Sequence, residues 1–246
     1  MFATEIAAHD RDHIWVRGLD LNDLIGNITF TEMVFLLIGG RLPDDDERHL
    51  LDAITVSLVE HGLTPSAAVA RMTASVAPEA LQGAVAAGLL GAGGRVLGSM
   101  EACGRILTQI GVDVESGCDR QEAARLAVRQ LLDDDQHVPG VGHAIHTDGD
   151  PRAKRLFEVA EQCGRRGAHV AGMEAMAAAA EQAVGKRLPI NATGAIAALL
   201  LELGIPWPVH RGFALISRTP GLIAHIAEEA VRPITPTLRR LLHEQR

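Results

Sequence analysis

Apolar residues recur along this chain at three- and four-residue spacing almost throughout, the period of a helix with one buried face. Leu50, Leu51, Ile54 and Leu58 form one stripe, with Asp44 to Asp46 as its start and Gly62 as its stop. Ala124, Val128, Leu131 and Leu132 form a second. Leu156, Phe157, Ala160 and Cys163 form a third, closed by Gly164. The alanine-rich segments 168–184 and 192–203 predict closely packed, buried helices. Alternation with period two is scarce, and Ile14-Trp15-Val16 is the best strand candidate. The pattern predicts an all-α chain of about a dozen short helices joined by Gly/Pro turns.

Composition sharpens this picture in three places. Aromatic residues are only 3% of the 246, with no tyrosine, so small side chains dominate the core and helix axes can approach closely. The net charge is −8 and the basic residues form no run, which argues against a nucleic-acid partner but leaves local arginines for a small anion. The longest uncharged stretch, 80–94, is short and glycine-rich, so no membrane span is predicted. Glu5, His9, Asp10, Arg11 and Asp12 interrupt any secretory signal. Cys103, Cys118 and Cys163 match neither a zinc pattern nor an even disulfide set. A reducing cytoplasm is the expected compartment, with no metal.

The most informative chemistry lies between His137 and Arg152. A Pro/Gly turn, Val138-Pro139-Gly140-Val141-Gly142, delivers His143 to a fixed place. After a short loop, Asp150-Pro151 opens a helix: aspartate accepts the first free N–H groups and proline fits the first helical position. Arg152 then sits at a helix start near His143. A proton-transfer group beside a guanidinium suits an oxygen-rich anion.

Five segments together resemble the citrate synthase superfamily. They are Arg17-Gly18-Leu19-Asp20 with Phe30-Thr31-Glu32 and Gly40-Arg41-Leu42-Pro43; Glu60-His61-Gly62-Leu63-Thr64-Pro65-Ser66; Pro139 to His143; Asp150-Pro151-Arg152; and Ser217 to His225 with Arg232-Pro233. The length and opening are most similar to short citryl-CoA lyases and the citrate-synthase-like module of ATP-citrate lyase. The resemblance implies a homodimer of helical subunits. Residues 1–97 and 204–246 would form a large helical domain and 98–203 a smaller inserted one, with the site in the cleft between them. By the same resemblance, His61, Arg152 and Arg218 hold the carboxylates of a di- or tricarboxylate, and Arg232 comes from the partner subunit. His143 contacts the oxaloacetate carbonyl, which becomes the citryl hydroxyl. The turn Val138 to Gly142 receives the adenine of coenzyme A, which enters as part of an acyl-CoA substrate. Alone, Arg218 and Arg232 would pass for surface arginines, and His225 for a packed helix histidine outside the site.

Two positions depart from the family's pattern. Its His-Gly-Gly segment is replaced, with Val96 or Leu97 in the histidine's place and Arg95 beside it. In its Asn-x-Asp-Gly segment, Thr193 stands where an aspartate moves the acetyl proton. The dicarboxylate half of the site is kept and the acetyl-enolate half is not. The expected activity is cleavage of a polycarboxylic acyl-CoA to a 2-oxo acid and a shorter acyl-CoA, with His143 and Thr193 at the reacting centre. The alternatives are an enzyme for a different acyl-CoA and a silent citrate- or CoA-binding protein.

Overall fold

The computed structural model describes residues 4–143 and 147–244, with the side chains of 94–98 and 242–244 outside the description. Helices dominate the fold. The first six are α1 (Leu21–Leu24), α2 (Phe30–Gly39), α3 (Asp45–Leu58), α4 (Pro65–Val76), α5 (Leu81–Leu90) and α6 (Gly94–Glu115). The rest are α7 (Arg120–Asp133), α8 (Pro151–Gln162), α9 (Ala168–Val184), α10 (Ala192–Glu202), α11 (His210–Val231) and α12 (Thr235–Glu244). The all-α expectation holds. Not all helices are short, however: α6 and α11 each run 22 residues.

The strand candidate Ile14–Val16 is the middle of a small antiparallel sheet. Its neighbours are Ala7–His9 and Leu19–Asp20. The turn uses positive φ at both Arg17 (49°) and Gly18 (81°), which the second residue, as glycine, adopts at no steric cost.

Helix starts follow the predicted chemistry. The Asp44 side chain accepts from Glu47 N while Glu47 bonds back to Asp44 N, so α3 opens with a reciprocal cap. Its end is earlier than predicted, at Leu58, and Gly62 belongs to the following turn. Asp150 and Asn191 cap α8 and α10. Leu50, Leu51 and Ile54 are fully buried, as the first stripe requires. In the second stripe Leu132 is exposed and Ala123 takes its place, because the buried face of α7 is set by Ala124, Val128 and Leu131.

The core centres on α10, whose residues from Ala195 to Leu200 are all at 0% exposure. Around it pack α6, α8 and α9. Small residues permit the predicted close approach: a Cβ on Gly88 would meet Leu222 at 2.9 Å, and one on Gly104 would meet His210 at 2.7 Å. One contiguous set of buried side chains draws on both segments assigned to separate domains, and α6 runs unbroken past positions 97 and 98. Among the described residues, no helix is long and apolar enough to cross a membrane.

Candidate anion site

Three separate stretches bring the sequence-predicted residues together. His61 follows α3, Arg218 lies in the middle of α11, and Arg152 opens α8 just after the turn that ends in His143. His61 lies within electrostatic reach of Arg152, Arg218 and His143, and Arg218 within reach of Arg152. Burial, then the charges of Arg152, Arg218 and His143, push the His61 imidazole below its ordinary value, with Glu60 opposing. His61 is therefore neutral at neutral pH and can donate one hydrogen bond and accept another. Burial also lowers the Arg218 guanidinium, which Glu60 opposes and Arg152 reinforces. It remains a cation at any physiological pH. His61, Ser66, Ala92 and Arg218 border a cavity of about 100 Å³. That is room for roughly three waters, or for one carboxylate. A larger hollow of about 680 Å³ lies between α4, α11 and α12, with Glu229 and Arg239 on its wall. The site is placed at the cluster because the convergent cations are there.

Capping α8 is only part of what Asp150 does. It is 3% exposed and holds Arg152 by two side-chain contacts, Nε to Oδ1 at 3.1 Å and Nη2 to Oδ2 at 2.9 Å. The same carboxylate accepts from Ala192 N at 2.9 Å, the first residue of α10 and the neighbour of Thr193. Asp150 thus joins Arg152 to the segment that carries Thr193. Burial pushes its carboxyl up, but the bonds from Arg152 and from Ala192 N outweigh that and hold it at about 2.

A carboxyl depressed from 3.8 to about 2 stabilises the fold at neutral pH and loses that contribution as pH falls from about 4 toward 2. Asp150→Asn should cost on the order of 2 kcal/mol at pH 7. In urea unfolding, the gap between parent and variant should narrow on acidification. A gap that stays constant down to pH 3 would show that this carboxylate does not supply the stability.

The turn before His143 is anchored as firmly. Gly142 N donates to Pro189 O at 2.8 Å, and Asn191 Nδ2 donates to Gly142 O at 2.8 Å. Asn191 N donates to Gly140 O at 3.0 Å, and Val141 bridges to Ile190. Gly140 has φ +86°, and a Cβ there would press on Cys103 Sγ and Gly194 Cα, both at 2.8 Å. A Cβ on Gly194 would lie 2.3 Å from Gly140 O. The turn and the start of α10 are therefore one packed unit, and Thr193, half-buried, sits beside it.

Glu60 supports the other side. Its carboxylate accepts from the backbone N–H of His61 (2.7 Å) and of Gly62 (2.6 Å), and pairs with His225 Nε2 at 3.1 Å. His225, set aside as a packed histidine, is packed, yet it positions the carboxylate that fixes the His61 backbone. Arg232 is not part of this chain's own cluster. It caps the far end of α11 with its side chain exposed, roughly 20 Å along the helix from Arg218 at the standard rise per residue. Arg95, Val96 and Leu97 lie in the first turns of α6, and their side chains are outside the described residues, as is the start of the loop after His143, 144–146.

The family model described as citrate synthase, C-terminal domain, matches residues 43–237. The chain belongs to the citrate synthase family. The matched span takes in every member of the cluster. Among curated relatives, the chain is 33% identical over 195 residues to a protein of Mycobacterium tuberculosis named putative citrate synthase 2, covering 76% of this chain and 49% of that one. It is 28% identical over 215 residues to the citrate synthase of Haloferax volcanii, covering 87% and 55%. The chain thus spans about half the length of the curated relatives it matches. Among solved structures, it is similar to citryl-CoA lyase from Hydrogenobacter thermophilus, with TM-score 0.84 and 35% identity over 93% of this chain and 87% of that one. It shares its fold with ATP citrate lyase from Methanothrix soehngenii, solved with citrate and coenzyme A, at TM-score 0.78 and 20% identity over 93% and 39%.

Proposed function

We propose that this chain binds a polycarboxylic acyl-CoA and cleaves it, in the manner of a citryl-CoA lyase, to a 2-oxo acid and a shorter acyl-CoA. The observation that carries the proposal is the grouping of His143, Arg152 and Arg218 around His61, with Asp150 bonding Arg152 to Ala192 N beside Thr193. Its support from similarity is the likeness to a citryl-CoA lyase over nearly the full length of both chains.

In this reading the two arginines and His61 grip the carboxylates, each guanidinium by charge-assisted bonds. His143 takes the proton of the tertiary hydroxyl. The C–C bond then breaks, its electrons passing to the thioester as an enolate while the hydroxyl carbon becomes a ketone. Water or the Thr193 hydroxyl delivers the proton that turns the enolate into the acyl-CoA. The adenine of coenzyme A rests on the Val138 to Gly142 turn. The segments 1–97 with 204–246, and 98–203, share a core and the helix α6, so closure over the substrate is a small shift between packed helices that keeps water from the enolate. Two copies form the working unit, each lending Arg232 to the other's cleft. The exposed apolar side chains Val76, Leu81, Leu90 and Ile223, on α4, α5 and α11, favour such a pairing. The protein acts in the cytoplasm and uses no metal.

Thr193 favours a second reading, because a hydroxyl is no carboxylate base. In it the chain binds citrate or an acyl-CoA without turning it over. One set of experiments separates the readings. Citrate should bind, and Arg152→Ala and Arg218→Ala should each weaken it by about 1.5 kcal/mol, roughly tenfold, the lower range for hydrogen bonds to charged groups. The lower range applies because Arg152 already spends part of its charge on Asp150. Citryl-CoA should be cleaved to oxaloacetate and acetyl-CoA. Binding without cleavage would select the second reading, and unchanged affinity in both variants would move the anion site elsewhere.

A further inference from the structure

The bend between α11 and α12 is held by a buried ionic clamp that the anion site does not use. Arg71, on α4, is 4% exposed and reaches under the bend. It donates from Nε to Glu229 at 2.7 Å, from Nη1 to Glu228 at 2.8 Å, and from Nη2 to the carbonyl of Arg232 at 2.6 Å. Glu229, also 4% exposed, accepts the backbone N–H groups of Ile234 at 3.0 Å and Thr235 at 3.1 Å. The carbonyl before Pro233 and the two N–H groups after it are therefore fixed by one pair of side chains. Burial pushes the Glu229 carboxyl up, but the bonds from Ile234 N, Arg71 and Thr235 N hold it down at about 2, so the pair is ionised.

A buried ion pair is a poor way to add stability, since well-packed apolar residues of similar volume often do as well. What a guanidinium offers instead is several donors in a rigid fork. Here the fork fixes the backbone of one residue whose own side chain is an exposed cation, Arg232. That cation stands at the C-terminal end of α11, roughly 20 Å along the helix from Arg218 of its own chain's cluster.

We propose that Arg71 and Glu229 are positioning residues for Arg232, aiming its guanidinium at the cleft of a second copy of this chain, so that they act on the partner's anion site and not on their own. The inference rests on the reading that Arg232 acts across the dimer. It makes Arg71 a determinant of anion affinity at a site to which its own chain contributes only this one arm.

Mixed dimers test this. Two differently tagged chains are co-expressed, the hybrid is isolated, and tight citrate sites per dimer are counted by calorimetry. Arg71→Lys keeps the charge and loses the fork. As a homodimer it should bind citrate about tenfold more weakly, the scale of losing one charge-assisted contact. Paired with Arg218→Ala, it should recover one tight site per dimer, because the Arg71→Lys chain keeps its own Arg218 and receives an intact arm. Paired with Arg232→Ala, it should recover none, because both arms are defective. The reverse pattern, rescue by Arg232→Ala and none by Arg218→Ala, would show that Arg71 acts within its own chain and would overturn the proposal. The Arg218→Ala and Arg232→Ala hybrid is the control and should show one tight site. If Arg71→Lys does not fold, Glu229→Gln replaces it in both pairings with the same expected pattern. Citrate affinity unchanged in the Arg232→Ala homodimer, or a strictly monomeric chain, would remove the underlying reading and the inference with it. Weakened citrate binding in Arg232→Ala, with none in Arg71→Lys or Glu229→Gln, would remove the inference alone.

Discussion

His143→Ala is expected to lower citryl-CoA cleavage by about 10²- to 10⁴-fold, the usual contribution of a positioned general acid or base. Citrate affinity should fall far less, because in the proposed reading Arg152, Arg218 and His61 hold the carboxylates. The separation of the two effects follows from how the turn is built. The bonds of Gly142 to Pro189 and Asn191, and of Gly140 to Asn191, are all made without the His143 side chain. Its removal should leave the backbone, and hence the bond between Asp150 and Ala192, in place. Cleavage and citrate affinity are measured on the same folded preparation. A variant that binds and cleaves like the parent would exclude His143 from the reaction. One that loses affinity and cleavage in equal measure would make it a binding group instead.

The legible part of this molecule was the part encoded locally. Helix stripes such as Leu50, Leu51 and Ile54 are set by spacing within a few residues, and caps such as Asp44 and Asp150 sit next to the N–H groups they satisfy. The sheet was only one-third visible, because Ala7 to His9 is a strand by virtue of pairing with Ile14 to Val16, not by its own pattern. The exposure of Leu132 depends on which neighbours α7 meets, which spacing alone does not state. In the site, the motifs named His61, His143, Arg152 and Arg218, and the fold gathers them. The groups that hold them were missed, since each acts across the chain: Asp150 on Ala192, 42 residues on, and Glu60 with His225, 165 residues on. The clamp between Arg71 and Glu229 spans 158 residues. An arginine in an apolar stripe and a glutamate near a helix end are ordinary surface residues until the fold buries both. The one signal available was that Arg71 falls on the same helical face as Ala67 and Ala70.

Thr193→Asp should raise citryl-CoA cleavage by one to two orders of magnitude, on the order of 10- to 100-fold. Thr193 is the second residue of α10, capped by Asn191, and it adjoins the Ala192 N–H that Asp150 accepts. Two influences would lower the pKa of a carboxyl placed there: the helix N-terminus and the nearby Arg152. Two would raise it: the buried surroundings of Ala192 and Ala195, and the like charge of Asp150. In the cleavage direction the new group must give a proton to the enolate, so its protonated form is the active one. The gain should therefore grow as pH falls toward its pKa, and shrink above it. It should stay below the full general-acid contribution because, in the proposed reading, Val96 or Leu97 stands where an imidazole would donate to the enolate oxygen. His143→Ala in the same background should abolish the gain, since a proton at the acetyl end is useless if the hydroxyl keeps its own. A rise that survives His143→Ala would point to a different route. A folded Thr193→Asp variant that binds citrate and gains nothing, beside a parent that binds without cleaving, would end the lyase reading. The cluster of His61, Arg152 and Arg218 would then be read as a site that binds the anion without turnover.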